Sequence, residues 1–108
     1  MISAQGNSVM DKIIGNLNKA FENRIRLGIM SVLVVNDNIT FLELKDLLQI
    51  TDGNLASHMA ALEKLNYIKV QKSFIGKKPN TLYILTKQGR KAFADHLNML
   101  EKIIKKHK

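Results

Sequence analysis

The period of the hydrophobic pattern changes twice along this chain, and that change constrains the fold more than any other feature. Up to Asn66 apolar residues recur at helical spacing. Tyr67-Ile68-Lys69-Val70-Gln71-Lys72 and, less cleanly, Thr81-Leu82-Tyr83-Ile84-Leu85 alternate apolar and polar, and helical spacing resumes after Thr86. The expected fold is mainly α with a small β-hairpin, in the α+β class. At 108 residues the chain is long enough for one domain around one core. Residues 1–7 are small and polar and read as a disordered N-terminus, leaving 8–108 as the domain.

Caps divide the helical part. Ser8 is suited to start a helix carrying Val9, Ile13, Ile14 and Leu17 at helical spacing. The next segment, Asn23 to Val35, is apolar all round the helical wheel, which predicts a helix packed on several sides. Asn36-Asp37-Asn38 is a turn cluster. Thr40 and Glu43 have capping-box spacing and open a short helix, Phe41 to Leu48, with Leu44, Leu47 and Leu48 inward. Thr51 is an N-cap for a helix from Asp52 to about Asn66. Two short capped helices joined by a tight turn form a helix-turn-helix over 41–66. Residues 67–85 form the hairpin, with 73–80 as a basic connecting tip rich in turn formers. Thr86 caps a last helix, Lys87 to about Lys106.

Composition narrows the function. The formal net charge is +8, from 17 Lys and Arg against 9 Asp and Glu. It is segregated: residues 1–50 balance, and no acid occurs between Lys64 and Lys91, where Lys69, Lys72, Lys77, Lys78, Lys87 and Arg90 also lie. Solubility alone would let both signs intermix. Segregated positive charge points to a polyanionic partner. With no Cys, a disulfide scaffold, a thiolate zinc site and a Cys nucleophile are excluded. The N-terminus lacks a signal-peptide pattern, and the most apolar run, Leu27 to Val35, is far shorter than the roughly 20 residues of a spanning helix. No membrane partner is expected, and the location is expected to be cytoplasmic.

The helix after Thr51 separates into two faces at 100° per residue. Leu55, Met59, Leu62 and Asn66, with Leu65 at the edge, make the inner face. Gly53, Ser57, Ala60, Ala61 and Lys64, with Asn54 on the shoulder, make a small polar outer face that carries no acid. Small side chains allow the helix backbone to descend into a DNA major groove, where Asn54 and Ser57 reach base edges. His58 falls beside the apolar face and is expected to be a satisfied, partly buried imidazole rather than a ligand.

This order of elements resembles the winged helix-turn-helix transcriptional regulators, in particular the small MarR/ArsR-like group. The residues carrying the resemblance are Ile39-Thr40-Phe41-Leu42-Glu43-Leu44, Thr51-Asp52-Gly53-Asn54-Leu55-Ala56-Ser57-His58-Met59, Ala61 to Ile68, and Tyr83-Ile84-Leu85-Thr86-Lys87-Gln88-Gly89-Arg90. It covers about residues 21–95. Asn66 stands where the family often has Gly, and Asn also tolerates a left-handed C-cap. No Arg stands at Ala60 or Ala61, which argues against strong guanine readout. The resemblance implies a homodimer on double-stranded DNA at a pseudo-palindromic operator, with a small-molecule effector possible in principle. Thr51, Gly53, Asn54, Ser57, Ala61 and Lys64 are the candidate recognition residues. Lys72, Lys77, Lys78 and Asn80 are the candidate wing contacts.

On the last helix Phe93, Leu97, Leu100 and Ile104 form an apolar stripe, widened by Ala92, Met99 and Ile103. Phe93, Leu97, Leu100, Ile103 and Ile104 are the expected dimer interface, with segments 8–20 and 87–106 forming the dimerisation helices. The alternative is that the N-terminal helix covers this stripe within one chain. His96 and His107 share one side of the helix, as in metal-sensing ArsR-type repressors, but Ala94 stands where those carry a carboxylate. No metal or other cofactor is expected. An enzyme is not expected either: no carboxylate pair or phosphate-cradling Gly loop is present, and Ser57 and His58 point to different helix faces. Two alternatives to the DNA-binding regulator stand: a winged-helix protein-interaction module, and a metal-responsive repressor using His96 and His107.

Overall fold

The structure, a computed structural model, describes residues 12–106. Residues 12–15 are helical, and a 3-10 turn follows at Lys19–Phe21, with the Asn18 side chain accepting from the Ala20 amide. Then come α1 (Arg24–Val34), β1 (Ile39–Thr40), α2 (Phe41–Leu48), α3 (Asp52–Lys64), β2 (Ile68–Ile75), β3 (Lys78–Leu85) and α4 (Lys87–Lys106). Ser8 and Val9, and residues 1–7 of the expected N-terminal tail, lie outside the described residues.

The caps act where the sequence puts them. Thr40 donates its amide to Glu43 Oε1 at 3.1 Å, and the Glu43 amide donates to Thr40 Oγ1 at 3.1 Å. The Thr40 amide and then its hydroxyl hold the Glu43 carboxyl below the usual carboxylate range. The Asn54 amide donates to Thr51 Oγ1 at 3.2 Å and opens α3. That helix stops at Lys64, two residues short of Asn66. Asn66 sits at φ 63°, and the Tyr67 amide turns back onto the Leu62 carbonyl at 3.0 Å. A left-handed residue reverses the chain, and the wrapping bond satisfies a carbonyl of the last turn.

Apolar contact with α1 organises the core. Ile29, Met30 and Leu33 of α1 are fully buried together with Leu44 of α2, and Leu55 and Leu62 of α3. Helices α2 and α3, strand β3 and the 3-10 turn all pack on α1, as its all-round apolar pattern requires. Three inward assignments are corrected: Leu47 is 61% exposed, Leu65 is 43% exposed, and Asn66 is exposed. Helix α2 meets the core along the Leu44 and Leu48 side only, and Leu65 already belongs to the cap.

The strands run further than the alternation shows. They pair antiparallel from Ile68↔Leu85 to Ile75↔Lys78, so the expected connecting tip at 73–80 shrinks to Gly76-Lys77. Gly76 has φ 64° and Lys77 has no positive φ, which is the Gly-first two-residue turn matching strand twist. Strand β1 adds a third strand beside β3, with Ile39 opposite Tyr83. Two residues are too few to show a period, so this strand is invisible in the sequence.

The first turns of α4 are built into the core. Phe93 is 4% exposed, with its ring edge-on to Phe21 at 5.4 Å between centroids. It therefore has almost no surface for a second chain, which corrects its assignment to the dimer interface. His96 is 5% exposed and accepts the Asn18 amide at Nδ1, at 3.1 Å. Asn18 in turn donates its side-chain amide to the Tyr67 hydroxyl at 2.9 Å. The N-terminal segment thus covers the start of α4 within one chain.

Burial pushes the His96 imidazole below its usual range, and Glu22 offsets this in part. Burial and then the Arg26 guanidinium lower His58 likewise. Above the ordinary histidine range neither the folded nor the unfolded chain is protonated, so pH has no effect through these groups. Below it the unfolded chain takes up protons first, and stability falls until the folded pKa is reached. The urea midpoint is therefore expected to drop between about pH 7.5 and 5.5, and His96→Gln is expected to flatten that drop. Equal midpoints at the two pH values would contradict a buried neutral His96.

Candidate nucleic-acid interface

Helix α3 divides by burial as its sequence divides by polarity. Leu55, Met59 and Leu62 are buried, while Gly53, Asn54, Ser57, Ala60 and Lys64 are exposed, and so is the cap residue Thr51. A Cβ built on Gly53 would meet nothing within 4 Å, so this end of the face is open to an approaching surface. Ala61 is only half-buried outward: with Lys64 and Leu65 it borders a hollow of about 660 Å³ whose other walls are Asn18, Lys19, Ala20 and Arg26.

One long-range contact and one short-range ion pair brace this helix, and neither has a local sequence signal. Arg26 donates Nε to the Ala20 carbonyl at 2.6 Å and lies 3.1 Å from His58 Nδ1 through Nη1. Arg26 is always protonated, so His58 accepts there and is neutral. This confirms His58 as a satisfied imidazole at the edge of the core. Across the helix-turn-helix, Lys45 pairs with Asp52 at 2.8 Å, and this hydrogen-bonded pairing raises the Lys45 pKa. Asp52 brings a carboxylate to the first turn of α3, and Lys45 offsets its charge.

The hairpin carries the lysines away from the core. Ile68 is buried and Val70 half-buried, but every residue from Gln71 to Pro79 is exposed, including Lys72, Lys77 and Lys78. Asn80 is half-buried, opposite Ser73. Lys77 occupies the turn itself and Lys78 begins the return strand.

At the other end of α4, Leu97 is 46% and Ile104 61% exposed, with Leu100 and Ile103 half-buried. The candidate metal pair is not assembled among the described residues. His96 spends Nδ1 on the Asn18 amide, and His107 lies outside them. Among the described residues no group of His, Cys, Asp and Glu could hold a metal ion, and no helix is long and apolar enough to cross a membrane.

Comparison with known proteins agrees with this geometry. Residues 25–104 match the winged helix DNA-binding domain family. An uncharacterized protein of Methanocaldococcus jannaschii, MJ0432, is 33% identical over 79 residues, which span 73% of this chain and 86% of that protein. A transcriptional regulator homologue from Pyrococcus horikoshii superposes with a TM-score of 0.79 at 28% identity, covering 91% of this chain and 95% of that one. The transcriptional repressor BigR from Xylella fastidiosa shares the fold at a TM-score of 0.65 and 20% identity, covering 94% and 96% of the two chains. The chain belongs to the winged helix DNA-binding domain family, and it shares its fold with solved transcriptional regulators.

Proposed function

We propose that this protein is a sequence-specific regulator that binds a pseudo-palindromic operator as a homodimer in the cytoplasm. The observation that carries the reading is the exposed face of α3, small and polar from Gly53 to Lys64, beside a hairpin whose projecting half is basic. In this reading Thr51, Gly53, Asn54, Ser57, Ala61 and Lys64 face the major groove, with Asn54 and Ser57 reading base edges. Lys72, Lys77, Lys78 and Asn80 grip the flanking backbone. The exposed and half-buried residues Leu97, Leu100, Ile103 and Ile104 support a dimer through α4, joined by segment 8–20. Two recognition helices then enter successive major grooves about 34 Å apart. Regulation is by occupancy, and an effector would act by favouring one dimer geometry over another.

In vitro selection from a random duplex library tests the reading. Enrichment of paired, inverted half-sites one helical turn apart is the expected result. Affinity should fall steeply between about 50 and 200 mM salt as counterions are displaced by lysines. Recovery of no common site, or binding indifferent to salt, would favour a protein-docking module instead.

The wing has its own test. Lys77→Ala with Lys78→Ala is expected to lower the slope of log affinity against log salt by about one to two units per wing. An unaltered slope would mean that the turn does not touch phosphate.

A further inference from the structure

The wing ends in two large apolar side chains that nothing among the described residues covers. Phe74 is 73% and Ile75 68% exposed, immediately before the Gly76-Lys77 turn. Phe74 lies opposite Pro79, on the same face of the ribbon as Val70 and Ile68, which enter the core. Ile75 lies opposite Lys78, on the other face. At about 3.3 Å per residue, Ile75 is roughly 17 Å beyond Val70, too far along the ribbon to share its core contacts. The tip is therefore a thin blade with an aromatic on one side and a branched aliphatic on the other.

The surrounding charge decides what such a blade fits. Lys69, Lys72, Lys77 and Lys78 lie on the same two strands and their turn, and no acid does. An apolar protein surface would leave these ammonium groups unmatched. A DNA duplex matches both features: phosphate rails for the lysines, and between them the apolar faces of stacked bases. Apolar side chains inserted from the minor groove partly unstack a base step and kink the duplex. We propose that Phe74 and Ile75 form an apolar wedge that enters the minor groove beside each recognition site and bends the DNA. This rests on the DNA-binding reading and adds to it a means by which the wing selects flexible steps at positions α3 does not reach.

The test uses the full chain and a duplex carrying the selected operator, with 2-aminopurine at the base steps flanking each half-site. Wild type is expected to raise the 2-aminopurine fluorescence and to bend circularly permuted fragments by roughly 20–90°. Phe74→Ser with Ile75→Ser should abolish both signals and weaken affinity roughly tenfold while leaving the salt slope unchanged. Phe74→Leu, which keeps an apolar wedge, should retain both. Thermal midpoints measured alongside should not move, since neither side chain is buried. A straight duplex with quiet fluorescence in wild type, or a double serine variant that bends DNA as wild type does, overturns the wedge while operator binding stands. Loss of dimer rather than of bending in that variant overturns it in favour of a contact between copies. If selection recovers no operator at all, the DNA-binding reading fails, and the wedge with it.

Discussion

Ser57→Glu is expected to abolish operator binding while leaving the fold intact. Ser57 is exposed on the second turn of α3, at the middle of the face flanked by Gly53, Ala60 and Lys64. In the proposed complex a glutamate there places a carboxylate at the floor of a groove walled by phosphates. Like charges brought together at an interface cost several kcal/mol. In the proposed dimer the contact is made twice, so a loss of about 100-fold or more in affinity is expected at physiological salt. Folding should not suffer, because glutamate is a good helix former and the side chain points into solvent. Fluorescence anisotropy on a labelled operator and a thermal melt would separate the two effects. An affinity equal to wild type would remove Ser57 from the interface.

The largest expected effect on stability is at Gly89. Its amide donates to Thr86 Oγ1 at 2.9 Å, and the Thr86 hydroxyl donates to the Asn66 carbonyl at 2.6 Å. The Thr86 amide also donates to the Tyr67 carbonyl at 3.0 Å. These bonds press the first turn of α4 against the backbone that leaves α3. A Cβ on Gly89 would lie 2.1 Å from the Tyr67 carbonyl oxygen and 2.8 Å from its carbon. Backbone atoms cannot rotate aside as a side chain can, so α4 must move and the bonds through Thr86 must loosen. Gly89→Ala is expected to cost about 3 kcal/mol or more, a fall of roughly 12 °C or more in Tm. Gly53→Ala is the matched control: its new methyl meets nothing within 4 Å. It should be neutral to slightly stabilising through helix propensity. Equal melting of wild type and Gly89→Ala would mean that the start of α4 does not dock on Tyr67.

Phe93 and His96 show where a helical stripe misleads. On the wheel Phe93 continues into Leu97, Leu100 and Ile104, and a continuous stripe reads as one interface. In the fold the stripe is divided between two uses. Phe21 and Asn18 reach its first turns from the far end of the chain and draw Phe93 and His96 inward. The later turns keep Leu97 and Ile104 exposed. Nothing near Phe93 in the sequence announces Phe21, because the contact spans more than seventy residues. The hairpin misleads in the opposite direction. Its projecting half is exposed on both faces, so alternation fades there although the ladder of hydrogen bonds continues to the turn.

Local chemistry alone determined where α1 to α4 begin, which side of α3 faces water, and where the basic ribbon lies. A Thr hydroxyl caps the amides within its own turn, and a period of 3.6 or two is written in neighbouring residues, so these features need no distant partner. Only the tertiary structure decided that Arg26 braces α3 through His58, that His96 is a core residue, that Leu47 faces solvent, and that Gly89 is the point of closest approach. Each depends on which surfaces meet when α1 is enclosed, and burial is a property of the packed assembly rather than of any one segment.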